Sequence, residues 1–248
     1  MRAFADHFSR LATGYAAHRP HYPDGLFAAI AAASPSLDRV WDCATGSGQA
    51  ATALAAHFHS VFASDASRQQ IRAATPHDRV RYLVARAEVV PLRSRSMDMV
   101  TVAQALHWLE LPEFYTEARR VLRPGGLLVV WTYGNQRVDG GPVDDVLADF
   151  YHRVIGSYWA PERRWVETGY RTVRFPFEEI AIDAPNMFAE WSLAELLGYI
   201  GTWSAVARCR ETTGHDPMAE LAARLLPLWG DPSARRRVEW PLSVRAGR

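Results

Sequence analysis

At 248 residues, 48% hydrophobic and 22% charged, the chain is long enough to bury a sizeable core and reads as an ordinary globular protein. A net charge of +1 without a basic tail gives no electrostatic case for a nucleic-acid partner, and no apolar run approaches the roughly 20 residues of a membrane span. All 28 basic residues are arginine, so lysine Schiff-base or general-base chemistry is excluded and anions must be met by Arg, His or backbone.

Met1 to Arg10 carries Asp6, His7 and two arginines and no apolar h-region, so no signal peptide is expected. Cys43 and Cys209 stand far apart without metal-ligand spacing, as in a cytoplasmic protein with reduced thiols. Phe4 to Arg19 is polar and aromatic, and Pro20 and Pro23 end any helix there. A helix is predicted over Asp24–Ala33, with Asp24 as its N-cap. Strands are predicted at Val40–Cys43, Ser60–Ser64, Val80–Val84, Met97–Ala103 and Leu127–Tyr133, with helices at Gln49–His57, Ser67–Ala74 and Leu111–Val121. Leu122-Arg123-Pro124-Gly125-Gly126 reads as the turn between the last of these helices and the fifth strand.

Such alternation predicts an α/β fold with a doubly wound, Rossmann-like parallel sheet. After Tyr133 the spacing is lost, and Gly134 to Phe175, with a helical stretch at Val143–Ile155, reads as a helical cap over the carboxyl edge. A strand near Glu178–Phe188 and a last one near Arg237–Val244 flank a helical region, Ser192–Leu226. The expected organisation is one domain: an N-terminal lid segment (1–35), a cofactor-binding core (36–133), the cap (134–176) and C-terminal strands and helices (177–248).

The most informative run is Val40-Trp41-Asp42-Cys43-Ala44-Thr45-Gly46-Ser47-Gly48-Gln49, followed by Val61-Phe62-Ala63-Ser64-Asp65. A strand runs into small residues at alternate positions and a second strand ends on an acid. In such a nucleotide-binding βαβ unit the backbone approaches the ligand closely and the carboxylate reaches a ribose. Gly46-x-Gly48-x-x-Ala51 fits a dinucleotide loop, and Asp42-x-Ala44-x-Gly46-x-Gly48 fits the loop of proteins that bind S-adenosylmethionine. Asp42 favours the second, because a pyrophosphate wants amide donors and a cationic sulfonium tolerates an acid. A nicotinamide-dependent oxidoreductase remains the rival reading, and a third is a protein of this fold that binds the cofactor without transferring methyl.

Further stretches carry a resemblance: Tyr15-x-x-x-Arg19-Pro20-x-Tyr22-Pro23, Ala87-Glu88-x-x-Pro91-Leu92, Gln104-Ala105-x-His107-Trp108, Glu117-x-x-Arg120-Val121-Leu122-Arg123-Pro124-Gly125-Gly126 and Gly198-Tyr199-x-x-Thr202-Trp203-Ser204. With them, nearly the whole chain resembles the class I S-adenosylmethionine-dependent methyltransferases. The likeness is to the type-11 group of small-molecule enzymes that includes trans-aconitate methyltransferase. The resemblance implies a mostly parallel sheet with a C-terminal antiparallel strand, and a monomer or homodimer acting on a small molecule. The cofactor is S-adenosylmethionine, which leaves as S-adenosylhomocysteine. There are departures: Ala44 stands where the family has its first loop glycine, Cys43 holds a place more often Gly or another small residue, and Arg86 replaces an Asp that many relatives set beside the adenine.

Candidate cofactor residues are Asp42, Ala44, Gly46 and Gly48 in the loop, Asp65 and Ala66 after the second strand, and Ala87 and Glu88 at the adenine. By resemblance, Gln104 and Ala105 lie along the methionine part, and Tyr15 and Arg19 fold over the cofactor with Tyr22. His107 and Trp108 would floor the acceptor pocket, Trp108 offering its π face and His107 orienting or deprotonating an acceptor. The cap contributes Tyr158, Trp159, Trp165 and Arg164; with Tyr22, Trp131, Tyr133 and Trp203 as substrate-binding candidates, the set suggests a mostly apolar pocket with one or two anion-binding arginines. The spacings His18-x-x-His21 and His57-x-His59 lack acidic or cysteine partners, and no metal is expected. The implied reaction is an in-line methyl transfer, possible without a base if the acceptor is a carboxylate, on which O-methylation would give an ester.

Overall fold

The computed structural model describes residues 19–138 and 141–248. Tyr15 and His18 therefore lie outside the described residues.

The first part of the chain alternates as predicted: α1 (Asp24–Ala33), β1 (Arg39–Cys43), α2 (Gln49–Leu54), β2 (Ser60–Asp65), α3 (Arg68–Ala73), β3 (Val80–Val84), β4 (Met97–Ala103), a single 3-10 turn (Leu106–Trp108), α4 (Leu111–Val121) and β5 (Leu122–Tyr133). The predicted helices Gln49–His57 and Ser67–Ala74 are shorter at their ends. Asp24 does not cap α1: Pro23 holds the N-cap position and Asp24 sits in the first turn, where its charge still meets the helix dipole. β5 begins earlier than its apolar run. Leu122 pairs with Met97, and the register slips across Pro124 and Gly125 before Leu127 pairs with Met99.

The main sheet has seven strands in the order β3-β2-β1-β4-β5-β10-β7, with β1 to β5 mutually parallel. β10 (Leu242–Gly247) runs antiparallel to β5 on one side and to β7 (Glu179–Ile180) on the other. The interior of β4 and the Leu127–Tyr133 part of β5 are buried at every residue, as strands covered on both faces must be.

The cap is more than an insertion. β6 (Arg137–Val138), β8 (Met187–Trp191) and β9 (Arg236–Trp240) make a separate three-stranded antiparallel sheet, order β6-β9-β8. Against it pack α5 (Pro142–Asp149), which runs on into a π turn at Phe150–Val154, and α7 (Leu193–Gly201), α8 (Ser204–Thr213) and α9 (Pro217–Trp229). Between them, a short α6 (Arg163–Glu167) lies over the core. A capping box between Ser192 and Glu195 starts α7, and Asp216 caps α9 ahead of Pro217. The cap has its own core around Tyr151, Tyr199, Trp203, Trp229 and Trp240.

Two predicted strands are thereby corrected. The single strand near Glu178–Phe188 is β7 in the main sheet and β8 in the cap sheet, and the one near Arg237–Val244 is β9 and β10, separated by Pro241. Proline removes a ladder donor, which lets the chain leave one sheet and join the other. No helix among the described residues is long and apolar enough to cross a membrane.

Candidate functional site

The loops leaving β1, β2 and β4 gather at the carboxyl edge of the sheet, where open α/β sheets hold their ligands. After β1 the backbone turns with Ala44, Gly46 and Gly48 all at positive φ (55°, 58° and 87°). A Cβ at Gly48 would run into the Tyr82 hydroxyl, whereas one at Gly46 would meet nothing nearer than Gln70 Oε1 at 3.9 Å. The cradle is therefore packed tight below Gly48 and open beside Gly46. Ala44 adopts a left-handed conformation that costs a residue with a Cβ about 1 kcal/mol or more.

Asp42, fully buried at the end of β1, accepts hydrogen bonds from the hydroxyls of Thr45 and Thr101. Burial pushes its carboxyl up to about 6, against the pull of both hydroxyls. Asp65 closes the gap between two loops: Oδ2 accepts from the Gly46 N–H at 2.9 Å and Oδ1 from the Ser67 N–H at 2.8 Å. The cap of α3 is the Ser67 hydroxyl, so Asp65 is not committed to that role. A carboxylate at a strand end is the kind of group that accepts hydrogen bonds from a diol. Ala66 is half-buried beside it. These residues fit an adenosyl cofactor: a Cβ-poor cradle with one open side and an acid at the neighbouring strand end.

Ala87 is buried after β3, and Glu88 is held by Arg86 Nε at 3.0 Å and the Glu110 N–H at 3.3 Å, so Arg86 is bound to its neighbour. The motif pair Glu117 and Arg120 supports this loop from below. Glu117 accepts from the Val90 N–H at 2.7 Å and pairs with Arg120, whose guanidinium donates to the carbonyls of Val90 and Leu92. The Arg120 hydrogen bond holds the Glu117 carboxyl below the usual range.

At the end of β4, Gln104 also has positive φ (52°), and its amide is fixed. Oε1 accepts from the Tyr133 N–H and the Thr132 hydroxyl, and Nε2 donates to the Tyr133 carbonyl. Ala105 packs against the core. In the turn that follows, His107 is 7% exposed and Trp108 is 37% exposed, their rings 4.7 Å apart. Burial, with the charge of Arg163 adding to it, drives the His107 imidazole down to about 3, so the ring is neutral.

Gln104, His107, Trp108 and Tyr133 form the core side of a cavity, and Trp159, Arg163, Tyr199 and Trp203 form its cap side. Arg19 enters the same cavity from the N-terminal segment. It donates to the Tyr133 hydroxyl at 2.9 Å and lies 5.7 Å above the Tyr199 ring. Arg163 donates to the Tyr151 hydroxyl and to Asn135 Oδ1, and its guanidinium stacks 4.6 Å from the Trp159 ring. No Asp or Glu is among the described lining residues. The indole N–H of Trp159 is buried with no hydrogen-bond partner among them.

Of the predicted pocket residues, Tyr133, Trp159 and Trp203 line this cavity. Trp131 does not: two residues further from the carboxyl end of β5 than Tyr133, it is fully buried in the core, edge-on to Tyr22 and Phe27. Tyr22 packs between Phe27, Trp131 and Tyr133, behind the lining. The cap arginine in the lining is Arg163 rather than Arg164. Tyr199 and Ser204 flank Trp203 in a motif the sequence displays, and that adjacency was the available signal. Among the described residues no group of three or more His, Cys, Asp or Glu could hold a metal.

Comparison with known proteins agrees with this arrangement. Residues 41–130 match a family model described as a methyltransferase domain. A Dictyostelium discoideum protein named as a methyltransferase is 34% identical over 226 residues, covering 90% of this chain and 86% of that protein. A solved structure from Anaeromyxobacter dehalogenans, described as a type II methyltransferase, is 45% identical and superposes with a TM-score of 0.87 over 93% of this chain and 97% of that one. A malonyl-[acyl-carrier protein] O-methyltransferase of Methylococcus capsulatus is 32% identical over 137 residues, about half of each chain. With a Rossmann-like sheet, this loop and full-length relatives of the same kind, the chain belongs to the class I S-adenosylmethionine-dependent methyltransferases.

Proposed function

We propose that the enzyme methylates a small carboxylic acid on oxygen, giving a methyl ester. The observation that carries this reading is the cavity's charge: two arginines, Arg19 and Arg163, face it and no described lining residue is acidic. Guanidinium groups pair with carboxylates through short, charge-assisted hydrogen bonds. The indole N–H of Trp159, without a partner among the described residues, adds a further donor. The O-methyltransferase named among the relatives is in keeping with this chemistry.

On this reading Asp65 faces the ribose, Gly46 and Gly48 let the backbone approach, Ala66, Ala87 and Glu88 border the adenine, and Gln104 and Ala105 run along the methionine chain. Arg19 closes over the cofactor and reaches the acceptor as well, with Tyr15 in the same segment. Asp42 supports the loop from beneath through Thr45 and Thr101. When bound, S-adenosylmethionine would supply an electrophilic methyl group for a carboxylate oxygen, its sulfur keeping the C–S electron pair. A carboxylate is ionised at neutral pH and leaves no proton to remove, which suits a site whose histidine is neutral and weakly basic. The chain's contribution is then position: the arginines hold the acceptor, and the aromatic walls exclude water.

The test is S-adenosylhomocysteine formation across a panel of small carboxylic acids and their neutral amides. Turnover confined to the acids, with an ester product by mass spectrometry, supports the reading. Turnover of phenols or amines instead overturns it.

A further inference from the structure

Tyr170 belongs to no predicted site, yet the fold spends unusual effort on its placement. Gly169 and Tyr170 both have positive φ (59° and 61°), a conformation that disfavours a tyrosine. The segment is pinned on both sides: the Tyr170 N–H donates to the Trp165 carbonyl at 2.7 Å, and its carbonyl accepts from Arg245 at 2.7 Å. A Cβ at Gly169 would strike Ser243, so the turn is also closely packed. The result is a fully buried phenol whose oxygen lies 2.9 Å from Nδ1 of His107.

One proton lies between those two atoms, and counting donors says whose it is. Among the described residues, His107 Nδ1 is the one hydrogen-bond partner of the Tyr170 oxygen. The Thr132 proton is committed to Gln104 Oε1, which the Tyr133 N–H fixes as an acceptor. Were Nδ1 the donor, the buried phenol proton would have no acceptor among the described residues. The phenol's own proton therefore goes to Nδ1. A neutral imidazole that accepts at Nδ1 carries its hydrogen on Nε2. That nitrogen makes no hydrogen bond to the described residues, and His107 lines the acceptor cavity.

We propose that Tyr170 is a positioning residue that locks His107 in the Nε2–H tautomer, so that the ring is a hydrogen-bond donor to an acceptor oxygen rather than a base. The choice of ligand rests on the carboxylate reading above: with Arg19 and Arg163, His107 makes a third donor around an anionic oxygen. An acceptor that must lose a proton finds no partner at this nitrogen. Tyr170 sets the acceptor class without touching the acceptor.

The experiment is long-range proton–nitrogen NMR of the full-length protein labelled at histidine, His107 being assigned by its loss in His107→Gln. The expected spectrum shows Nε2 protonated and Nδ1 bare, unchanged from pH 5 to pH 8. In Tyr170→Phe, its folding checked by thermal melting, the expected spectrum is a tautomer mixture. There the acceptor KM rises about tenfold and S-adenosylhomocysteine affinity holds. His107→Gln, which can place an N–H near the same point, retains more turnover than His107→Ala. A wild-type spectrum with the proton on Nδ1, or one that Tyr170→Phe leaves unaltered, overturns the proposal. The tautomer is read without any acceptor present, so failure of the carboxylate panel and failure of the lock are separate results.

Discussion

Asp42 and Thr101 are register partners across the β1–β4 ladder, and the threonine hydroxyl donates to the buried carboxylate at 2.8 Å. The pair lies beneath the cofactor loop with no ion-pair partner among the described residues, and burial lifts the acid from its ordinary 3.8 to about 6. Well below pH 3.8 the group is neutral in the folded and unfolded chains alike. As pH rises the unfolded chain ionises first, so stability falls until the folded carboxyl has ionised too, above pH 6. Urea unfolding of the protein and of Asp42→Asn should show the variant gaining about 3 kcal/mol relative to the parent between pH 4 and pH 7.

His107 tilts stability the other way. Its folded pKa, about 3, lies below the free value of 6.5, so the unfolded chain takes up the proton first on acidification. Stability from this group is full above about pH 6.5 and is lost as pH falls toward 3. His107→Gln should flatten the acid limb of the same unfolding curves by several kcal/mol.

Arg163→Leu should raise the acceptor KM by about 10- to 100-fold, the worth of one or two charged hydrogen bonds. The affinity for S-adenosylhomocysteine should hold, since Arg163 comes from the cap. Steady-state kinetics beside calorimetric titration separates the two effects.

Asp65→Ala should lower S-adenosylhomocysteine affinity by at least about tenfold and also cost about 1–2 kcal/mol of stability. The second effect follows because the carboxylate joins the Gly46 and Ser67 N–H groups of two different loops. Calorimetry and thermal melting of the same sample read both.

Ala44→Gly should be neutral or stabilising by up to about 1 kcal/mol, because φ of 55° strains alanine and not glycine. The departure from the usual loop is then a local strain rather than a lost site, and cofactor binding should not weaken.

The core of this fold is legible because its signals are long and local. Val40–Cys43, Ser60–Ser64 and Met97–Ala103 are apolar runs bounded by loop residues, and structure and sequence agree on them to within a residue. The cap is not, for three physical reasons. β6 and β7 have two residues each, too few for any period to show. β9 and β10 keep an apolar rhythm through Pro241, which was the one sign that the strand breaks there. Arg163 and Arg164 are neighbours on a five-residue helix, and only tertiary packing decides which faces the cavity. Tyr170 is invisible for another reason: its role comes from a backbone conformation that tyrosine does not favour, announced only by the glycine before it.

Strands β5 and β10 lie side by side along six residues, yet the entire cap separates them in the chain. A nascent chain that has completed β5, apolar from Leu127 to Tyr133, has a whole second sheet and, among the described residues, the five helices α5 to α9 still to come before β10 can cover that edge. Such long-range closure is slow, and a bare apolar edge is the template on which chains add to one another. The expected consequence is that expression yield follows how quickly β10 arrives more closely than the stability of the finished molecule.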